Sequence, residues 1–163
     1  MKLKFNVFAI LALFFMVSCS SDNEDPIVNL AENVQGNYKG YTLADFKYTE
    51  IPMTTPDESV ILTANADGTS SVSYASNKWG TFTISDAVVA VNGDIYSIQG
   101  KAKTVMGMSE ESKKEYDCEV KGTISKDKKT VSFLFKVPSV MGGVTITFNL
   151  GEVPMADVIA GVY

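Results

Sequence analysis

The chain has no histidine, no arginine, one tryptophan and two cysteines in 163 residues. Each shortage removes a class of chemistry. Without His there is no Ser-His-Asp triad, no Cys-His dyad and no imidazole metal site. Without Arg no guanidinium fork can clamp a phosphate or a carboxylate. Fourteen lysines stand against nineteen acids, a formal charge of −5. A nucleic-acid binder needs a basic footprint instead, so that class is set aside. Two cysteines, Cys19 and Cys118, are too few for a disulfide framework, and the length suits one domain held by its own core.

What is present begins with an address. Lys2 and Lys4 precede an unbroken apolar run, Val7 to Val17. As a helix this run would be about 16 Å long, half of a hydrocarbon core, which is signal-peptide length and too short to span a membrane. Met16-Val17-Ser18-Cys19 resembles the lipobox of bacterial lipoproteins. The resemblance implies a diacylglyceryl group on the Cys19 thiol, cleavage just before it, palmitate-type acylation, and a membrane partner reached through the anchor. Residues 1–18 then form the signal peptide and 19–27 an acidic tether of solvated composition. The tether also resembles the export signal of surface lipoproteins of Bacteroidetes, which implies the outer membrane and its outer surface.

Beyond the tether the apolar residues repeat every second position. Tyr116, Cys118, Val120 and Ile124 alternate with Glu115, Asp117, Glu119 and Lys121, the pattern of a half-buried strand. Cys118 falls on the apolar side and reads as core, not as a nucleophile. Val60, Leu62 and Ala64 lead into Asp67-Gly68, with Val72 and Tyr74 following. Phe82 to Val91 leads into Asn92-Gly93, with Ile95 to Ile98 returning. Both dipeptides suit tight hairpins. Val131 to Val137 ends at Pro138, and Gly142-Gly143 precedes Thr145 to Phe148. With Gln35–Leu43 at the start, the count is about eight strands in an all-β antiparallel meander. The one helical signal is a short turn, Asn29 to Asn33, capped by Asn29. A meander of eight removes its exposed edges by closing into a barrel. The charged outer face of Glu115 to Lys121 does not suit lipid, so the barrel is expected to be soluble and tethered.

Gly36-Asn37-Tyr38-Lys39-Gly40, the Asn92-Gly93 hairpin with Tyr96, and the Pro138 to Gly143 segment resemble the calycin-like lipoproteins of Bacteroidetes. The resemblance implies a lipocalin-like barrel over roughly 34–151, within a domain assigned to 28–151 and followed by a tail, 152–163. Tyr38 stands where lipocalins proper carry a Trp, and the late Arg of lipocalins has no counterpart.

The candidate chemistry is binding. Tyr74, Phe82, Tyr96, Tyr116, Phe133, Phe135 and Phe148 are the aromatic residues expected inside, where they either line a pocket for a small apolar or amphipathic ligand or fill the barrel. Phe46, Tyr48 and Met53, in the Tyr41–Pro56 segment, read as a lid or as part of an irregular strand. The alternative function is a solid barrel that meets an outer-membrane protein partner through its surface. An enzyme is not expected. The acids alternate onto a wet face, Asp67 and Asp94 are turn residues, and Gly142-Gly143 precedes no helix that could hold phosphate. No cofactor and no metal are implied, since the acidic tether lacks the spacing of a calcium loop.

Overall fold

The computed structural model describes residues 29–107 and 109–155. The signal segment, the tether with Cys19 and the tail beyond Met155 lie outside the described residues. Eight antiparallel strands close into one barrel in simple sequence order. They are β1 (Gly36–Phe46), β2 (Met53–Ala64), β3 (Ser70–Ser76), β4 (Gly80–Asn92), β5 (Ile95–Met106), β6 (Lys114–Ser125), β7 (Val131–Val137) and β8 (Val144–Leu150). The helix α1 (Leu30–Val34) precedes them. Its Asn29 cap accepts a hydrogen bond from the Ala31 amide at 3.1 Å. Ala31 and Val34 are buried, and the Tyr38 hydroxyl donates to the Val34 carbonyl at 2.7 Å, tying the helix to β1.

Period-two alternation builds the wall. On β6, Cys118, Val120 and Ile124 are buried, while Asp117 and Glu119 face out. Their outer partners on β5 carry the opposite charge: Lys101 reaches Glu119 at 3.1 Å and Lys103 reaches Asp117 at 3.0 Å. Such exposed pairs set register more than stability. The Asp67 and Asp127 carboxylates cap their hairpin turns by accepting from Thr69 and from Ser125 and Lys129, which lowers their pKa values. The Tyr41–Pro56 segment resolves as strand for most of its length. β1 continues to Phe46 and β2 begins at Met53, so only 47–52 is a loop.

The inward side chains meet in one core. Tyr74, Phe82, Phe133, Phe135 and Phe148 are all fully buried. Tyr74 and Phe135 stack at 5.0 Å between centroids, and Phe82 lies 5.5 Å from Tyr74 and 5.2 Å from Phe135. Phe133 links Phe135 to Phe148 at 6.3 and 6.4 Å. Small residues make the space for these rings. A Cβ at Gly122 would run into the Phe133 ring, so only glycine lets that ring lie on the β6 backbone.

Closure depends on the seam between β1 and β8, where Gly40 pairs with Leu150 and Thr42 with Phe148. A Cβ on Gly40 would collide with the Asn149 carbonyl oxygen, a backbone atom that cannot move without opening the ladder. Gly40→Ala is therefore expected to destabilise the fold by about 1–3 kcal/mol or more. Urea unfolding checks this, and an unchanged midpoint would show that the seam is not tight.

Candidate functional site

The barrel wall has a fault near its middle. Gly40 pairs with Glu58 and Thr42 with Thr55, so Pro56 and Asp57 together face Tyr41. This is a β-bulge, with Asp57 held at φ 56° and Pro56 placed where no ladder N–H is required. The bulge restores the inward phase at Glu58, so its side chain points into the barrel beside Val60 and Leu62.

Glu58 is only 8% exposed. Its Oε1 accepts a hydrogen bond from Ser76 Oγ at 2.9 Å. Ser76 Oγ in turn accepts from the backbone N–H groups of Lys78 at 3.1 Å and Trp79 at 3.3 Å, which fixes its direction. The Trp79 indole N–H donates to Thr55 Oγ1 at 3.2 Å, and Phe46 meets the indole edge-on at 6.4 Å. Trp79 thus closes the barrel at the end opposite α1.

Three buried side-chain oxygens lie at this level: Glu58 Oε2, Thr42 Oγ1 and the Tyr74 hydroxyl. Thr42 and Tyr74 are fully buried. Burial pushes the Tyr74 phenol far above the usual range. Hydrogen bonding to Ser76 and Thr42 pulls it partly back, and the Glu58 charge adds to the rise. The three oxygens therefore form one neighbourhood. Two of the three carry a hydroxyl hydrogen, so the Thr42 and Tyr74 groups can donate within the cluster and share the Glu58 carboxylate as acceptor.

Outside the same bulge lies a groove of about 740 Å³, lined by Lys39, Tyr41, Thr54, Pro56, Asp57, Glu58 and the Gly151–Val153 segment among others. A second, shallower concavity of about 440 Å³ crosses the outer face of β4, β5 and β6. Neither is lined by the core aromatics.

Of the aromatic residues expected inside, five pack on one another in the core, while Tyr96 and Tyr116 are half-buried against its two ends. The expected lid is divided. Phe46 packs inward against Trp79, whereas Tyr48 is 73% exposed at the hairpin tip and Met53 opens β2. Sequence reasoning missed Thr42 and Glu58. The signal was present: Glu58 stands two residues before Val60, in phase with the buried face. Among the described residues no group of three or more Cys, Asp or Glu side chains could hold a metal ion.

The architecture agrees with comparisons to known proteins. A family model, the calycin-like beta-barrel domain, matches residues 34–150, and the chain belongs to that family. A crystal structure of a putative outer membrane protein from Bacteroides fragilis NCTC 9343 is similar, with a TM-score of 0.64 and 27% identity over 78% of this chain. The chain spans about half of that protein, 48% of its length. No curated protein matches the chain.

Cys118 is the described thiol nearest to a possible nucleophile, and its surroundings silence it. It is 2% exposed, and burial pushes its pKa up to about 12. Thiol reagents at pH 8 are expected to leave Cys118 unmodified in the folded protein and to label it fully once urea unfolds the chain. Fast labelling in the folded state would contradict the packing described for β6.

Proposed function

We propose that this protein is a lipid-anchored component of the cell envelope, a non-catalytic binding module whose barrel is a solid scaffold and whose recognition surface is its wall and loops. The observation that carries the reading is the interlocked core. Tyr74, Phe82 and Phe135 touch one another at 5.0–5.5 Å between centroids, and rings at that spacing leave no room for an apolar guest between them. A small apolar ligand in the barrel centre is correspondingly less supported. The groove beside the β2 bulge, with Glu58 in its lining, is the feature of the wall that suits a ligand. The lipobox-like Met16–Cys19 segment supports the anchor, and the likeness to an outer-membrane protein supports the envelope location.

Two experiments test the two halves. Cys19→Ala is expected to abolish metabolic palmitate labelling and to release the protein from membranes, and persistent membrane attachment would contradict the anchor. An apolar fluorescent probe such as N-phenylnaphthylamine is expected to find no stoichiometric site in the wild type. Phe135→Ala, expected to cost about 3–5 kcal/mol, would open one. Tight stoichiometric uptake by the wild type would restore the central-cavity reading.

A further inference from the structure

We infer that the groove at the β2 bulge is the docking site of the chain's own C-terminal segment, Ala156 to Tyr163, which lies outside the described residues. The inference goes beyond the wall-binding reading. The first thing this part of the wall recognises is the chain itself, and any other ligand there must displace the segment or bind beside it. The chain is led to the groove by its own fold. After β8 the Gly151 amide donates to the Lys39 carbonyl at 3.1 Å, which keeps the backbone against β1. Gly151, Glu152 and Val153 then form part of the groove lining. Only Pro154 and Met155 separate that lining from the segment.

The segment has the side chains that such a groove can cover. Val158, Ile159, Val162 and Tyr163 come as two adjacent pairs four residues apart, which is the spacing of one apolar stripe on a helix. Pro154 stands where a helix start accepts proline, and Met155 is already helical. A helix this short is marginal in water by itself, so its stability has to come from packing. Tyr41, Pro56 and Val153 in the groove lining offer that packing. The one charged side chain of the segment, Asp157, falls on the opposite side of the helix, away from Asp57, Glu58 and Glu152 of the lining.

Other surfaces suit the stripe less well. A helix that lies on a bilayer carries Lys or Arg along its polar side. Here that side is Ala156, Asp157, Ala160 and Gly161. The segment rises only about 12 Å as a helix, and the concavity on β4, β5 and β6 is on the opposite side of the closed barrel from β1. The barrel interior is taken by its own rings. The groove of a second copy has to compete with an attached one, whose effective concentration over so short a linker is roughly millimolar.

The test is methyl-to-aromatic NOE spectroscopy on the detergent-solubilised full chain with labelled Ile and Val methyls. Cross-peaks from the Ile159 and Val162 methyls to the Tyr41 ring are expected. Ile159→Asp puts a charge into the stripe. It is expected to remove those cross-peaks, to shift the Lys39, Tyr41 and Ser59 amides, and to speed proteolysis of the segment severalfold, while the amides of β6 and β7 stay in place. Cross-peaks to detergent chains in place of Tyr41 would overturn the proposal in favour of a bilayer surface. Cross-peaks to Tyr41 seen only between differently labelled copies would overturn it in favour of a second copy of the chain. No cross-peak from either methyl to the groove, or groove amides unmoved by Ile159→Asp, would overturn it outright. The wild-type spectrum stands even if the variant fails to fold. The probe and palmitate experiments do not involve this segment, so failure here leaves the envelope and solid-barrel readings intact.

Discussion

The structure depends on a ring-filled interior. Five aromatic side chains from β3, β4, β7 and β8 share one space, and that space exists because β6 and β1 carry glycine where the rings and the seam come close. Burying a large side chain contributes about 1.5–3 kcal/mol, so this cluster supplies a main part of the free energy that closes the sheet. With Cys118 free and buried, no disulfide assists it among the described residues. The same packing restricts function. Rings at this spacing leave no room between them, which is why the proposed recognition surface lies on the wall and loops.

The bulge in β2 is where the design departs from uniform alternation. Two residues face one, Asp57 adopts a left-handed backbone, and the strand returns to phase with a carboxylate pointing inward. A solid barrel built for stability alone would carry an aliphatic residue at Glu58, since an unpaired buried polar atom weakens the fold. Glu58 lies beside the Thr42 and Tyr74 hydroxyls and also lines the groove outside the bulge, which distinguishes this part of the wall. Rule-breaking of this kind is where function is expected.

Much of the architecture was legible in the residues. The alternation from Glu115 to Ile124, the Asp67-Gly68 and Asn92-Gly93 turns, and the stop at Pro138 gave the strands and their order, because side-chain period and turn chemistry are local properties. The Asn29-capped turn was readable for the same reason. The extent of β1 was not. Ala44 to Phe46 continues the strand because β8 pairs with all three residues and β2 with Ala44, and pairing is not local. The site was less legible than the fold. Whether Tyr74 and Phe135 line a cavity or fill one depends on ring spacing, which no sequence period encodes. Glu58 was readable from its place two residues before Val60, whereas the bulge at Pro56 and Asp57, which shifts the phase of β2 ahead of it, was not. Thr42 gave no signal, because a threonine on a strand is ordinary until its hydroxyl is found buried beside Tyr74.

Crystals of the protein under xenon pressure offer the most direct measurement of the central claim. Xenon occupies dry apolar voids and ignores well-packed rings. No xenon peak is expected among Tyr74, Phe82, Phe133, Phe135 and Phe148. A well-occupied xenon site enclosed by those rings would contradict a solid barrel and return the ligand to its centre.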